Sequence, residues 1–162
     1  MEHELKLFKI PRWQELPPID LYLDQILSLM EDWLGEYMSD GEKKVMTKTM
    51  VNNYVKQKII QPPVNKRYDK KSVASLFVIA ILKSVYSIND IARLIELALG
   101  ASDIENSYDE FCKTTEIAVE QAFSEQPVEK YQSKIDVRYI LWNTVSSFAC
   151  QLYVKKTYLT NL

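Results

Sequence analysis

An all-α fold is what this sequence predicts, on three observations. Glycine is scarce in the 162 residues, limited to Gly35, Gly41 and Gly100. No Asn-Gly or Asp-Gly pair sits between alternating apolar runs, the pattern that announces a β-hairpin. Apolar side chains instead recur at three- and four-residue spacing through most of the chain, the period of a helix that buries one face.

The elements follow in order. After an irregular start marked by Pro11, Pro17 and Pro18, the segment 20–38 places Leu23, Ile26, Leu27, Met30, Trp33, Leu34 and Tyr37 on one helical stripe. Asp20 is the expected N-cap and Asp24 the first-turn acid, both favourable at a positive helix end. Ser39-Asp40-Gly41 breaks the pattern. A short second helix is expected over 48–58, and it must stop before Pro62-Pro63 because a residue preceding proline is pushed out of helical geometry. Asp69 caps a third helix whose apolar residues, Val73, Leu76, Phe77, Ala80 and Ile81, run nearly all round it, so it belongs in the core. Ser87 starts a fourth helix with Ile88, Ile91, Ala92, Leu94, Ile95 and Leu99 inward and Gly100 at its C-terminal end. Two more are expected over 108–124 and 133–158, separated by a turn at Pro127.

Composition bounds the class. With 47% hydrophobic and 26% charged residues, the chain has ordinary globular proportions, and a chain of this length hides about two thirds of its unfolded surface on folding. We expect one domain over 1–162, with a C-terminal helical extension over 108–158. No apolar stretch approaches the roughly 20 residues of a membrane span, and the N-terminus, with Glu2, Glu4, Lys6 and Lys9 among its apolar residues, lacks the plan of a secretory signal. A cytoplasmic protein is expected, with Cys112 and Cys150 as reduced, packed thiols.

Charge is the informative quantity. The formal net charge of −2 conceals segregation: between Lys43 and Lys83 there are ten Lys and Arg against one acid, Asp69, which leaves −11 on the rest. One face for a polyanion on an otherwise acidic scaffold is the expected consequence.

Within that basic segment stand Tyr54, Ile59-Ile60-Gln61-Pro62, Lys66-Arg67-Tyr68 and Ser87-Ile88-Asn89-Asp90-Ile91. In this order they resemble the MerR superfamily core over about 50 residues: a recognition helix with a central tyrosine, an apolar pair followed by proline, a short wing ending in a basic-aromatic element, then two helices. The resemblance implies a winged helix-turn-helix over 47–99 with a reduced wing, flanked by an N-terminal helix and two C-terminal helices. Three departures accompany it. Asn52 stands where these regulators usually carry arginine, Lys58 replaces a glycine before the apolar pair, and the wing over 63–68 has lost its glycine. The motif's usual first helix would fall around Tyr37 to Lys43, where this chain has Ser39-Asp40-Gly41, so either the helix ending at Met38 replaces it or the motif is degenerate. The whole chain, through Trp13, Leu16-Pro17, Asp20-Leu21-Tyr22 and Asp24-Gln25, also resembles a bacterial family of uncharacterised function.

The residues support nucleic-acid binding on their own chemistry, because a helix in the major groove needs amides, hydroxyls and cations and no repelling carboxylate. If Met50, Val51, Tyr54 and Val55 pack inward, then Lys48, Thr49, Asn52, Asn53, Lys56 and Gln57 occupy the remaining face. Asparagine can pair bidentately with adenine, and Lys48, Lys56 and Lys58 suit phosphate or guanine. Lys66 and Arg67 on the wing would clamp the flanking backbone, with Lys70 and Lys71 at the next helix start. The bland alternative is a solvated lysine-rich face.

Catalysis lacks materials. His3 is the sole histidine, so a Ser-His or Cys-His pair has no base within the body of the chain. Three isolated glycines build no phosphate-cradling loop. Asp20 and Asp24 are better read as capping groups than as a cation site, and Cys112 and Cys150 have no metal-ligand spacing. Tyr139, Trp142, Phe148 and Tyr153 are read as packing or interface residues ahead of an effector pocket. We therefore expect no enzyme and no cofactor, but a DNA-binding transcriptional regulator whose partner is double-stranded DNA. It would act as a homodimer through the long terminal helix, by Ile140, Leu141, Val145, Phe148, Leu152 and Val154, unless those residues complete the chain's own core. The alternative from another class is a helical adaptor that binds an acidic protein surface.

Overall fold

The computed structural model describes residues 7–125 and 136–159, and among these it is mostly helical. A 3₁₀ turn, Trp13–Glu15, precedes strand β1, Leu21–Tyr22; helices α1, Leu23–Met38, and α2, Lys48–Lys56, follow. Strand β2, Arg67–Tyr68, leads into α3, Lys70–Leu82, α4, Ile88–Ala101, α5, Ile104–Phe123, and α6, Val137–Thr157. β1 and β2 pair antiparallel, Leu21 opposite Tyr68 and Tyr22 opposite Arg67.

That pairing corrects the start of the first helix. Leu21 and Tyr22 are drawn into the sheet, so Asp20 is not the cap; Tyr22 takes that place and its N–H donates to the Gln25 side chain at 2.9 Å. The caps read at Asp69 and Ser87 are made, each side chain accepting the N–H three residues on. Asp103 caps α5 in the same way, so that helix starts at Ile104, four residues ahead of the expected Tyr108, and Asp136 caps α6. Gly100 lies inside α4 without positive φ, and the helix runs on to Ala101. His3, Pro127 and the stretch 133–135 lie outside the described residues.

α3 is the central element, with Val73, Ala74, Leu76, Phe77, Ile79, Ala80, Ile81 and Leu82 all buried. α1 contributes Ile26, Met30 and Leu34 to the same cluster, α2 Val51 and Tyr54, and α6 Val145, Phe148, Ala149 and Leu152. Much of α6's apolar surface therefore completes the chain's own core. α5 and α6 run side by side in one direction: the Phe123 and Tyr153 rings meet 5.4 Å apart near their C-terminal ends, while Ile104 and Asp136 border one groove at their starts. Only Ile91 of α4 is fully buried, and Leu99, expected inward, is 44% exposed.

The N-terminal segment is ordered by α5. Tyr108 donates its hydroxyl proton to the Pro11 carbonyl at 2.7 Å, Asp109 accepts the Trp13 N–H at 2.7 Å, and Glu116 holds Arg12 through contacts of 3.1 and 2.7 Å while accepting the Ile10 N–H at 3.0 Å. Burial raises the Tyr108 hydroxyl pKa and pushes the Cys112 thiol up to about 12. Cys112 is thus a packed thiol as expected; Cys150 is free but exposed, a correction to its expected packing.

Two tight corners lie beside α2. After Gln57 the chain reverses at Lys58, φ 60°, and at the hairpin tip Asn65 and Lys66 have φ of 50° and 64°, bracketed by a bridge between Val64 and Arg67. Both central residues of that tip are left-handed, as in a type I′ turn, which asparagine tolerates and lysine does not favour. Lys58 meets the same steric cost. We expect Lys58→Gly to stabilise the protein by about 0.5–1 kcal/mol, glycine's greater unfolded freedom offsetting part of the relief; a denaturant midpoint unchanged or lowered would contradict the strain argument.

Candidate nucleic-acid interface

The N-cap hydroxyl of Thr47 accepts the Met50 N–H at 3.3 Å and fixes the rotation of α2. Val51 and Tyr54, 0% and 8% exposed, then face α3's cluster, and burial raises the Tyr54 pKa. The opposite stripe, Lys48, Thr49, Asn52, Asn53 and Lys56, is exposed throughout, and Gln57 and Lys58 continue it past the helix end. Positions one helical turn apart share a face, so these residues form one continuous polar surface without an acid of its own.

α1 precedes α2, and the loop between them is fastened by Glu31, whose carboxylate accepts the Ser39 hydroxyl and, at 3.2 Å, the Val45 N–H. No helix forms over Ser39 to Lys43; Asp40 and Lys43 close a turn there. The cations meet at the start of α1. Lys48 Nζ is 2.8 Å from Asp24 Oδ1, and the Arg67 guanidinium lies over the Tyr22 ring, two residues away, 4.8 Å from its centroid. The α2 N-terminus and the hairpin therefore flank one corner. Lys66 at the tip and Lys71 in α3 are exposed, whereas Lys70 is half-buried with Nζ 4.7 Å from the Trp13 centroid. Asp69, the lone acid of the segment, is occupied by the Ser72 N–H at 2.8 Å.

The eleven residues read from the sequence thus lie on α2 or just past its end, on the hairpin or in the first turn of α3. Trp13 and Tyr22 were missed. They stand 30 and 21 residues before the basic segment, and a two-residue strand leaves no periodicity to read. Lys83, at the far end of α3, has a lowered pKa because it is half-buried and faces Lys43 and Lys155.

A second concave feature, about 800 Å³, lies among α3, α4, α5 and α6 and is walled by Val78, Leu94, Leu97, Phe111, Ile140 and Leu141. None of the four aromatics weighed for an effector pocket lines it: Phe148 packs on Phe8 at 5.8 Å and Tyr153 on Phe123. Among the described residues no group of His, Cys, Asp and Glu could hold a metal ion, and no helix is long and apolar enough to cross a membrane.

Fold and site together define a mostly helical protein whose two-stranded sheet ties a basic hairpin to a helix bundle. The chain belongs to the family described as Domain of unknown function (DUF1836), whose model matches residues 11–113, well over half its length. The match takes in the 3₁₀ turn through α4, enters α5 and stops before α6. No curated protein and no solved structure matches it.

Proposed function

We propose that this protein is a cytoplasmic, DNA-binding transcriptional regulator that uses a MerR-like winged helix-turn-helix, with α1 and α2 as the two helices and the hairpin at 64–68 as the wing. One observation carries the reading. α1, α4 and α5 each have an acid in their first turn, Asp24, Asp90 and Glu105, which suits the positive helix end. α2 has none there and begins with Lys48, and α3, behind its Asp69 cap, begins with Lys70-Lys71; α6 also lacks one and carries Arg138. Cations at a positive helix end cost stability, and a phosphate placed there is met by both the helix and the lysines.

In this reading the Lys48, Asn52 and Lys56 stripe enters the major groove, with Asn52 or Asn53 on a base edge, and Lys66 and Arg67 hold the flanking backbone. One such module buries only on the order of 600–1,000 Å², so two copies on a two-fold site are expected. Of the terminal-helix residues proposed for that dimer, Val154 is exposed, and Tyr158 and Leu159 just past the helix end extend its apolar surface.

Selection of bound duplexes from a random pool, followed by affinity measurement on the selected site, tests the reading. Asn52→Ala should cost about 1–3 kcal/mol on that site, hardly change affinity for random duplex and leave stability within about 0.5 kcal/mol. Equal losses on every duplex would remove the base-reading role, and no enrichment would remove the function. A second measurement concerns the pair at the corner: Asp24→Asn frees Lys48 and deletes a carboxylate that repels phosphate, so random-duplex affinity should rise about two- to fivefold. A fall would place Asp24 in support of the interface.

A further inference from the structure

The cations on either side of Tyr68 are held by π faces. The Arg67 guanidinium carbon sits 4.8 Å from the Tyr22 ring centre and Nη2 donates to the Tyr22 hydroxyl at 2.9 Å. Lys70 Nζ lies 4.7 Å from the Trp13 ring centre. A carboxylate that fixes a cation also cancels its field, as Glu116 does for Arg12 at 2.7 Å; a ring fixes it and leaves the full charge facing solvent. Asp69, the acid between these two cations in sequence, caps α3. Of the five guanidinium N–H donors only one is engaged by Tyr22, and a side chain already confined by stacking loses less freedom when an anion takes the others.

We propose that Tyr22 and Trp13 are positioning residues of the nucleic-acid surface, holding Arg67 and Lys70 as uncancelled phosphodiester contacts along its hairpin edge. The N-terminal segment, stitched to α5 through Pro11, Trp13 and Arg12, is on this account part of the interface. The proposal rests on the DNA-binding reading and assigns phosphate contact, not base reading, to this edge.

The test uses the full chain and a 20-base-pair duplex of random sequence. Tyr22 is 43% exposed, so Tyr22→Leu should keep the melting temperature while weakening binding about two- to fivefold. Tyr22→Phe, which keeps the ring, should recover part of the loss, and in an Arg67→Ala background Tyr22→Leu should have no further effect. Without DNA, the Arg67 Nε–H resonance should move in Tyr22→Leu as the ring current is lost. Binding unchanged by Tyr22→Leu overturns the proposal alone, as does an Arg67 resonance indifferent to the ring. A wild-type chain that fails to bind at low salt overturns the DNA reading and this proposal with it.

Discussion

Raising monovalent salt from about 50 to 200 mM should weaken binding to duplex DNA roughly a thousandfold or more. Lys48, Lys56, Lys58, Lys66, Arg67, Lys70 and Lys71 lie on α2 and just past its end, on the hairpin and at the start of α3, and each phosphate they neutralise releases condensed counterions with a log–log slope of about 0.9. Six such contacts give a slope near −5.4 by that rule, which sets the expected loss. The acidic remainder of the molecule does not cancel this local effect, because at such salt its charges are screened beyond roughly 10 Å. Fluorescence anisotropy across a salt series measures the slope. A value near zero, or no binding at the lowest salt, would leave the basic surface as solvated lysines and would turn attention to the adaptor alternative.

Glu116→Ala should destabilise the fold by about 2–3 kcal/mol, the largest loss expected from a single polar side chain here. Its carboxylate, 11% exposed, accepts two guanidinium bonds from Arg12 and the Ile10 N–H. Removing it leaves a half-exposed cation and a backbone donor without their acceptor, and charge-assisted bonds are the costly ones to break. The Arg12 side is partly open to water, which keeps the figure below that of a wholly buried pair. For a chain of this size the loss corresponds to a fall of roughly 5–10 °C in melting temperature. Glu116→Gln should cost less, since one acceptor oxygen survives. A variant that melts like the wild type would show that the N-terminal segment is not anchored to α5 in solution. Because the same segment carries Trp13 and Tyr22, weaker DNA binding in Glu116→Ala is expected to follow its loosening.

Local patterns were legible from residues alone where one physical cause dominated. The stripe Ile26, Met30, Leu34 and the nearly all-round apolar α3 needed only periodicity, and the caps at Asp69 and Ser87 needed only a side-chain oxygen three residues before a waiting N–H. Asn52 outward and Tyr54 inward followed from the 200° that separates them on a helix. The concentration of cations between Lys43 and Lys83 was likewise a property of composition.

What the tertiary structure decided are relations between segments distant in sequence. Pairing with Tyr68 and Arg67 pulled Leu21 and Tyr22 out of the first helix and moved its cap from Asp20. Backbone geometry showed Lys58, Asn65 and Lys66 held in left-handed corners where glycine is the easier residue. The same direction of α5 and α6, and the burial of Val145, Phe148 and Leu152 between helices, could not be read from a stripe that is apolar on several sides. The sequence by itself determined the helices, the caps at Asp69 and Ser87 and the place of the charge, because each rests on contacts within a few residues. Which cations are cancelled by carboxylates and which rest on rings only the fold decided, because Asp24, Tyr22 and Trp13 reach Lys48, Arg67 and Lys70 across 24 residues or more.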